Sequence, residues 1–154
     1  MADPGAAGPV RKAVLAAHQG FYDAIETGDL DLMASLWADD DASVCVHPGT
    51  EAITGSGAIR RSWAMVMAQL GYVQFILTDV TVALVRDAAG EPVTAVVGCT
   101  ENVLSEAPDG TDAGFAGGRA VATKTLVRAA GGWKVLSHHA SPVLMPDEDD
   151  EDDE

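Results

Sequence analysis

Basic residues are scarce in this sequence. It has 9 Lys and Arg against 24 Asp and Glu, which gives a formal net charge of −15 at pH 7. The last stretch, residues 147–154, is entirely acidic, so 16 acidic residues remain for the rest of the chain. A chain without a basic patch does not attract phosphate backbones or anionic membrane surfaces. We therefore expect neither nucleic acid nor a membrane as a partner.

Cysteine and long apolar runs are also lacking. The two cysteines, Cys45 and Cys99, each lie in a short apolar, strand-like run. No run reaches the roughly twenty apolar residues of a membrane span, and the N-terminus lacks the basic start and apolar stretch of a signal peptide. We therefore expect a cytoplasmic protein with free, buried thiols. A disulfide stays open as an alternative, because a sequence does not give the distance between two cysteines.

Motifs for common cofactors are missing as well. The sequence has no phosphate-binding loop, dinucleotide fingerprint or nucleophile elbow. Its Gly-rich stretch, residues 107–118, joins two predicted strands and opens no helix, so it is not a phosphate cradle. Zinc held by Cys45, His47, Cys99 and a C-terminal histidine is a weaker alternative, because no closed-site spacing such as Cys-x-x-Cys is present. We predict no cofactor and no metal.

The first half of the chain shows helical periodicity. Apolar residues recur at helical spacing over residues 10–27 and 30–37, and again in the stripe that runs from Ile59 through Trp63 to Leu70. The capping residues predicted for these three helices are Gly28 at the end of the first, Asp29 at the start of the second and Ser56 at the start of the third.

The remainder of the chain reads as β-structure. A short strand over residues 43–47 places Ser43, Cys45 and His47 on one face. Four longer strands follow, as an antiparallel meander. Helices followed by strands predict an α+β fold, here a cone-shaped α+β barrel in which three N-terminal helices pack on a highly curved antiparallel sheet around a pocket. The strands are predicted at residues 73–86, 93–106, 119–128 and 133–142.

The chain is predicted to hold one domain between two tails. Residues 1–9, rich in Ala, Gly and Pro, are expected to form a disordered N-terminal tail. The domain spans residues 10–143, which is long enough to bury a core without disulfides or metals. Residues 144–154 are expected to form an acidic, disordered C-terminal tail, since like charges repel each other and bury no apolar surface.

Several short motifs resemble those of one family. In order and spacing they are similar to the SnoaL-like and ketosteroid-isomerase-like members of the nuclear transport factor two superfamily. The resemblance covers about residues 10–143 and implies the cone-shaped fold and a frequent dimeric state, but no single activity, because the fold hosts isomerases, cyclases, dehydratases, hydrolases and binders. The motifs are YDAIETGD (22–29), LWADD (36–40), VHPG (46–49), GSGAIRRSW (55–63), GGWKV (131–135) and HHASPV (138–143).

The family's catalytic residues match this chain poorly. In ketosteroid isomerases an Asp stands before the Pro that ends the short strand, where this chain has His47 before Pro48. The helix position of the family's oxyanion-hole Tyr matches Phe21, with Tyr22 one residue away, and the strand that carries its protonated Asp has no acid here. The resemblance therefore argues against a steroid isomerase.

Histidines are the candidate catalytic residues. The side chain of His47 can take or give a proton near neutral pH, as the isomerase Asp does at that position. His138 and His139 face opposite sides of one strand, and Lys134 shares the face of His138. Because a buried Lys is rare, we predict that His139 points into the pocket. For both His47 and His139 the alternative is a histidine that only packs or hydrogen-bonds.

Further side chains are predicted to bind the ligand. Trp63 offers a large apolar wall with one N–H donor, and the hydroxyl of Tyr22 is within reach of the pocket or of its open end. In the second long strand, residues 93–106, Glu101 and Asn102 face opposite sides, and the pattern does not show which side is concave. The full predicted ligand-binding set is Tyr22, Cys45, Trp63, Asn102 and Thr123.

Two functions follow from this pattern. The first is a pocket protein that binds a small, hydrophobic or mixed-polarity molecule without turning it over. The alternative is an acid–base isomerase, cyclase or dehydratase that acts on a small hydrophobic carbonyl compound, with His47 as general base. A homodimer is expected in either case, because the strand around Val80, Val82 and Val85 is polar on neither face and needs a covering layer.

Overall fold

The computed structural model describes residues 4–106, 115–130 and 132–144. In these ranges three helices pack on one curved sheet of six strands. The elements follow the predicted order of helices before meander. They are α1 (Pro4–Thr27), α2 (Leu30–Leu36), β1 (Val44–Val46), β2 (Ile53–Thr54), α3 (Ser56–Gln69), β3 (Val73–Arg86), β4 (Pro92–Glu106), β5 (Phe115–Ala129) and β6 (Gly132–Pro142).

The first helix is longer than predicted. It begins at Pro4, so residues 4–9, assigned to a tail from the sequence, are helical. Proline suits a first helical turn because its missing N–H has no partner there, and the alanines that follow favour the helix. At the other end Gly28 has φ 68°, the left-handed cap that was predicted.

Two helix starts were predicted, and one is correct. Asp29 caps α2, since its carboxylate accepts a hydrogen bond of 3.0 Å from the backbone N–H of Leu32. Ser56 does not cap α3: the capping position is Gly55, at φ 92°. The Ser56 hydroxyl instead donates to Asp39 over 2.9 Å, and that bond ties α3 to the segment after α2.

The sheet is mixed and open. Its strand order is β2-β1-β6-β5-β4-β3, and β3 to β6 form the predicted antiparallel meander. The expectation of a wholly antiparallel sheet was wrong, because β1 pairs parallel to β6, with Cys45 opposite His138. The segment through α3 is long enough to bring the chain back across the sheet, and β1 covers the edge that β6 would otherwise leave unpaired.

Irregularities bend the meander around the helices. The register of β3 against β4 shifts between Thr78 and Thr81, where Asp79 has φ 54°, a conformation that Asp tolerates better than most residues. In the last hairpin, Leu126 pairs with Val135 and Thr125 with Ser137, so Leu136 is an extra residue in β6. Such a bulge increases the local twist and reverses which side chains face inward beyond it.

The long loop predicted over residues 107–118 is shorter at its C-terminal end. β5 begins at Phe115, and Gly117 and Gly118 pair with Leu104 and Val103 because β4 extends far enough to offer them partners. Residues 107–114 lie outside the described part of the chain, as does the predicted acidic tail from residue 145 onward. Within the described residues, no helix is both long and apolar enough to cross a membrane.

Candidate functional site

A cavity of about 330 Å³ lies between α3 and the concave face of the sheet. Most of its wall is apolar, and one end is open to solvent. This volume is at the lower end of the range of small-molecule sites, which is roughly 300–1,000 Å³. The apolar lining includes Phe21, Ile25, Val66, Leu70, Val73, Phe75 and Val103, and the polar lining includes His47, Glu101, Ser105, Arg119 and His138.

His47 lies in this cavity, at the end of the short strand. Its Nε2 is 2.6 Å from the hydroxyl of Ser62 on α3 and 3.9 Å from the sulfur of Cys45. The ring stands edge-on to the indole of Trp63, with 4.7 Å between the ring centroids. Burial lowers the pKa of His47 below its usual value, so the imidazole is neutral at neutral pH. A neutral imidazole is able to accept a proton.

The second histidine of the cavity is His138. It is buried, packs on the ring of Phe21 at 4.7 Å between centroids, and has Trp63 at 6.5 Å. Burial, followed by the positive charge of Lys124, lowers the pKa of His138 well below its usual value. Among the described residues its Nδ1 has no hydrogen-bond partner.

The prediction that His139 points into the cavity was wrong, because His139 is exposed on the other face of the sheet. The reasoning held at the start of β6, where Trp133 and Val135 are buried as expected. The extra residue Leu136 then reverses the alternation, so His138 becomes the inward residue. His47 and Trp63 do meet a C-terminal histidine in one cavity, but that histidine is His138.

A chain of three buried polar side chains lies beside the cavity. The Lys124 ammonium donates to the Tyr22 hydroxyl over 2.7 Å, and that hydroxyl donates to Oε2 of Glu101 over 2.5 Å. Tyr22 and Lys124 are fully buried, and Glu101 is 4% exposed, with its side chain at the cavity wall. Tyr22 is therefore placed behind the cavity and reaches it only through Glu101.

Burial shifts the pKa values of Lys124 and Tyr22 in this series of hydrogen-bonded side chains. Burial lowers the pKa of Lys124 from 10.5 to about 8, although the Glu101 carboxylate favours the charged amine. The ammonium also lies over the rings of Phe21 and Tyr22, at 4.2 and 4.3 Å from their centroids. Burial, with the Glu101 charge, raises the pKa of Tyr22 far above its usual value, so the phenol keeps its proton and stays a donor.

Two predicted ligand-binding residues face away from the cavity. Asn102 donates to the carbonyl of Ile76 and to the hydroxyl of Thr78 on the convex face, while its neighbour Glu101 points inward. Thr123 is exposed on that same outer face, and the adjacent Lys124 is buried. Both predictions were wrong. In each strand the residue that faces the cavity side is the immediate neighbour of the predicted one, because successive side chains of a strand point to opposite faces.

The cysteines are buried free thiols outside the cavity lining. Burial raises the pKa of Cys45 to about 12 and that of Cys99 above its usual value, so neither is a thiolate at neutral pH. The Cys99 sulfur lies 3.6 Å from the Tyr22 hydroxyl. Across the described residues, no group of three or more His, Cys, Asp and Glu side chains gathers as a metal site requires.

A sequence signal existed for the residues that were missed. Glu101 alternates with Val97 and Cys99, and Lys124 alternates with Ala122 and Leu126, all of which are buried. The alternation of apolar residues on β4 and β5 therefore predicts that Glu101 and Lys124 both face inward. The rarity of a buried lysine was applied to Lys134 on β6, and the inward side was left open for Glu101. Lys124 is buried here because Tyr22 and Glu101 supply the partners that a buried charge needs.

The fold and the cavity define a class of protein: an α+β cone with an internal cavity. Residues 14–146 match the SnoaL-like domain family, and the chain belongs to that family, within the NTF2-like superfamily. No curated protein matches the sequence.

Solved structures extend this comparison. The chain is similar to a candidate dehydratase of the NTF2-like family from Streptomyces avermitilis, with 41% identity, a TM-score of 0.78, and coverage of 89% of this chain and 99% of that one. A candidate calcium/calmodulin-dependent protein kinase type II association domain from Thiobacillus denitrificans shares 27% identity at a TM-score of 0.66, over 84% and 94% of the chains. A candidate scytalone dehydratase from Novosphingobium aromaticivorans, at 12% identity and a TM-score of 0.72 over 89% and 86%, shares the fold.

Proposed function

We propose that this protein binds a small, largely apolar molecule in the cavity beneath α3. The observation that supports it is the cavity itself, which combines an apolar wall with a few fixed polar groups, namely His47, Glu101 and His138. Small-molecule sites have this composition, because apolar surface supplies affinity and the polar groups set orientation. The polar groups come from three separate strands or strand ends, so their positions are set by the fold.

Filling the cavity tests this proposal. Gly118 lines the cavity mouth, and a Cβ built there meets no atom within 4 Å, so a side chain at this position enters open space. Gly118→Phe is expected to abolish binding of an apolar fluorescent probe and of any molecule seen bound in native mass spectra. Gly117→Phe is the matched control, because the adjacent strand position faces the other side of the sheet. Equal binding by both variants contradicts the proposal.

A second candidate function is acid–base catalysis with His47 as the general base. Two observations favour it: the neutral imidazole in the cavity and the 41% identity to a candidate dehydratase. If Nε2–H donates to Ser62, the lone pair lies on Nδ1 and is available to a substrate. In a dehydration, His47 takes the proton α to a carbonyl, and the C–H electrons form the C=C bond. The β C–O bond breaks, and the same proton leaves with the hydroxyl as water.

Substitution of His47 separates the two functions. A β-hydroxy aryl ketone is the probe, because loss of water gives an enone with strong ultraviolet absorption. His47→Gln is expected to abolish turnover and to retain binding if the protein is this kind of enzyme. Turnover by the parent protein should fall as pH drops through the lowered pKa of His47, since the protonated imidazole is no base. Binding without turnover by the parent protein supports the binder.

We also propose that the protein forms a homodimer through the convex face of the sheet. Large apolar residues are exposed there, among them Ile76 at 56%, Val121 at 51% and Val85 at 50%. Exposed apolar side chains on one face of a sheet are commonly covered by a partner layer. The cytoplasmic location and the lack of nucleic-acid and membrane partners stay predictions from the sequence.

A further inference from the structure

Two hydrogen-bond donors beside the cavity, Lys124 and Tyr22, donate within the protein and not into the cavity. Lys124 donates to Tyr22, and Tyr22 donates to Oε2 of Glu101. In both bonds the donor lies on the side away from the Glu101 carboxylate, so this series of hydrogen bonds ends on an acceptor. Since Glu101 lies in the cavity wall, this acceptor, and neither of the two donors, meets a bound molecule.

The second oxygen of that carboxylate, Oε1, takes no part in the bond to Tyr22. Among the described residues, Oε1 of Glu101 takes part in no hydrogen bond, although the side chain is 4% exposed. A carboxylate oxygen in a cavity wall accepts from water or from a ligand, and a bond from a neutral donor to a charged acceptor is among the stronger hydrogen bonds. Oε1 is thus the acceptor that the cavity wall offers to a donor from water or from a ligand.

The neighbouring titratable groups add no positive charge deep in the cavity. His47 and His138 have lowered pKa values and are neutral, so they add no positive charge that would attract an anion deep in the cavity. The Lys124 ammonium is separated from the cavity by Tyr22 and Phe21. Arg119 is exposed at the mouth and belongs to the rim. A carboxylate ligand against Glu101 would therefore meet like charge.

We propose that the natural ligand is a neutral, hydroxyl-bearing, largely apolar molecule whose O–H donates to Oε1 of Glu101. This inference rests on the proposed function of the cavity and adds the chemical class of its ligand. Lys124 and Tyr22 act through Glu101 as positioning residues: they hold Oε2 and balance its charge, and so direct Oε1 at the ligand.

A matched series of aromatic probes tests the inference. Naphthol offers a donor, acetonaphthone an acceptor, naphthoate an anion and naphthalene none of these. The full-length protein is expected to bind naphthol about tenfold or more tightly than naphthalene, as a hydrogen bond to a charged acceptor gives. Naphthol is also expected to bind more tightly than acetonaphthone and naphthoate. Affinities are measured by isothermal titration calorimetry at neutral pH.

Glu101→Gln provides the sharper readout. Tyr22 still donates to the carboxamide oxygen, so the N–H₂ group turns toward the cavity as a donor. The preference is then expected to reverse, with acetonaphthone bound more tightly than naphthol. Because this variant leaves the Lys124 charge without its partner, the double variant Glu101→Gln/Lys124→Met repeats the test with both charges removed. Thr100→Val, adjacent to Glu101 on the convex side, is expected to keep the parent order of affinities.

These experiments distinguish failure of the proposed ligand class from failure of the proposed binding function. Equal affinities for naphthol and naphthalene, or tightest binding of naphthoate, overturn the ligand class but leave the binding cavity intact. An unchanged preference in Glu101→Gln and in the double variant, both folded by near-ultraviolet circular dichroism, also overturns it. If none of the four probes binds, and naphthalene in particular does not, both the ligand class and the proposed binding function are contradicted.

Discussion

Burial of the Lys124 ammonium makes a stability prediction with a defined sign. The pKa of this amine is 10.5 in an exposed lysine and about 8 in the folded protein, with desolvation as the main cause. The folded state therefore binds this proton less tightly than the unfolded chain. Between pH 8 and 10.5 the unfolded chain holds more protons, so the contribution of Lys124 to the free energy of unfolding rises with pH.

The size of the effect follows from the two pKa values. Each pKa unit corresponds to about 1.4 kcal/mol, so raising the pH from about 7 to about 10 should relieve about 2–3 kcal/mol of the burial penalty. Tyr22, Cys45 and Cys99 oppose this trend, because their raised pKa values make the folded state keep protons that the unfolded chain loses. The parent protein alone therefore shows only a part of the effect.

The variant Lys124→Met isolates the contribution of the Lys124 amine to the pH dependence of stability. Both proteins contain the phenol and the thiols, so the difference in their free energies of unfolding reports mainly the titration of the amine. Relative to the variant, the parent protein should gain about 2–3 kcal/mol over this pH range. Urea unfolding at a series of pH values, followed by circular dichroism, measures the difference. A constant difference across the range refutes the view that the amine is charged and buried at neutral pH.

Three further predictions concern other parts of the chain. Asp29→Ala should lower the free energy of unfolding by about 1 kcal/mol, because the N–H of Leu32 loses its cap, and chemical denaturation measures this loss. Val121→Lys should convert a dimer to a monomer in sedimentation at micromolar concentration, and a parent protein that is already monomeric rules out the dimer. Removal of residues 147–154 should leave Tm nearly unchanged, whereas a fall of more than about 5 °C would show that the acidic segment docks on the domain.

The sequence by itself determined the order of elements and most of the core. Helical spacing placed Trp63 on the buried stripe of α3, and strand alternation placed Ser43, Cys45 and His47 on one face of the short strand, which the structure shows to be the inward face. These features depend on neighbours within a few residues, and periodicity reports such neighbours directly. The Asp29 cap and the Gly28 turn are local in the same way.

Only the tertiary structure decided which polar residues meet in the cavity. The extra residue in β6 exchanged His139 for His138, and a bulge depends on how a strand pairs with its neighbour, which no single strand's pattern reveals. The parallel pairing of β1 with β6 brought Cys45 beside His138, although the two residues are far apart in the sequence. Lys124 is tolerated inside because Tyr22 and Glu101, on two other elements, reach it with hydrogen bonds. A buried charge is stabilised by partners that are close in space and distant in sequence. The sequence pattern of β5 alone therefore does not show that Lys124 is buried, because its partners lie on α1 and β4.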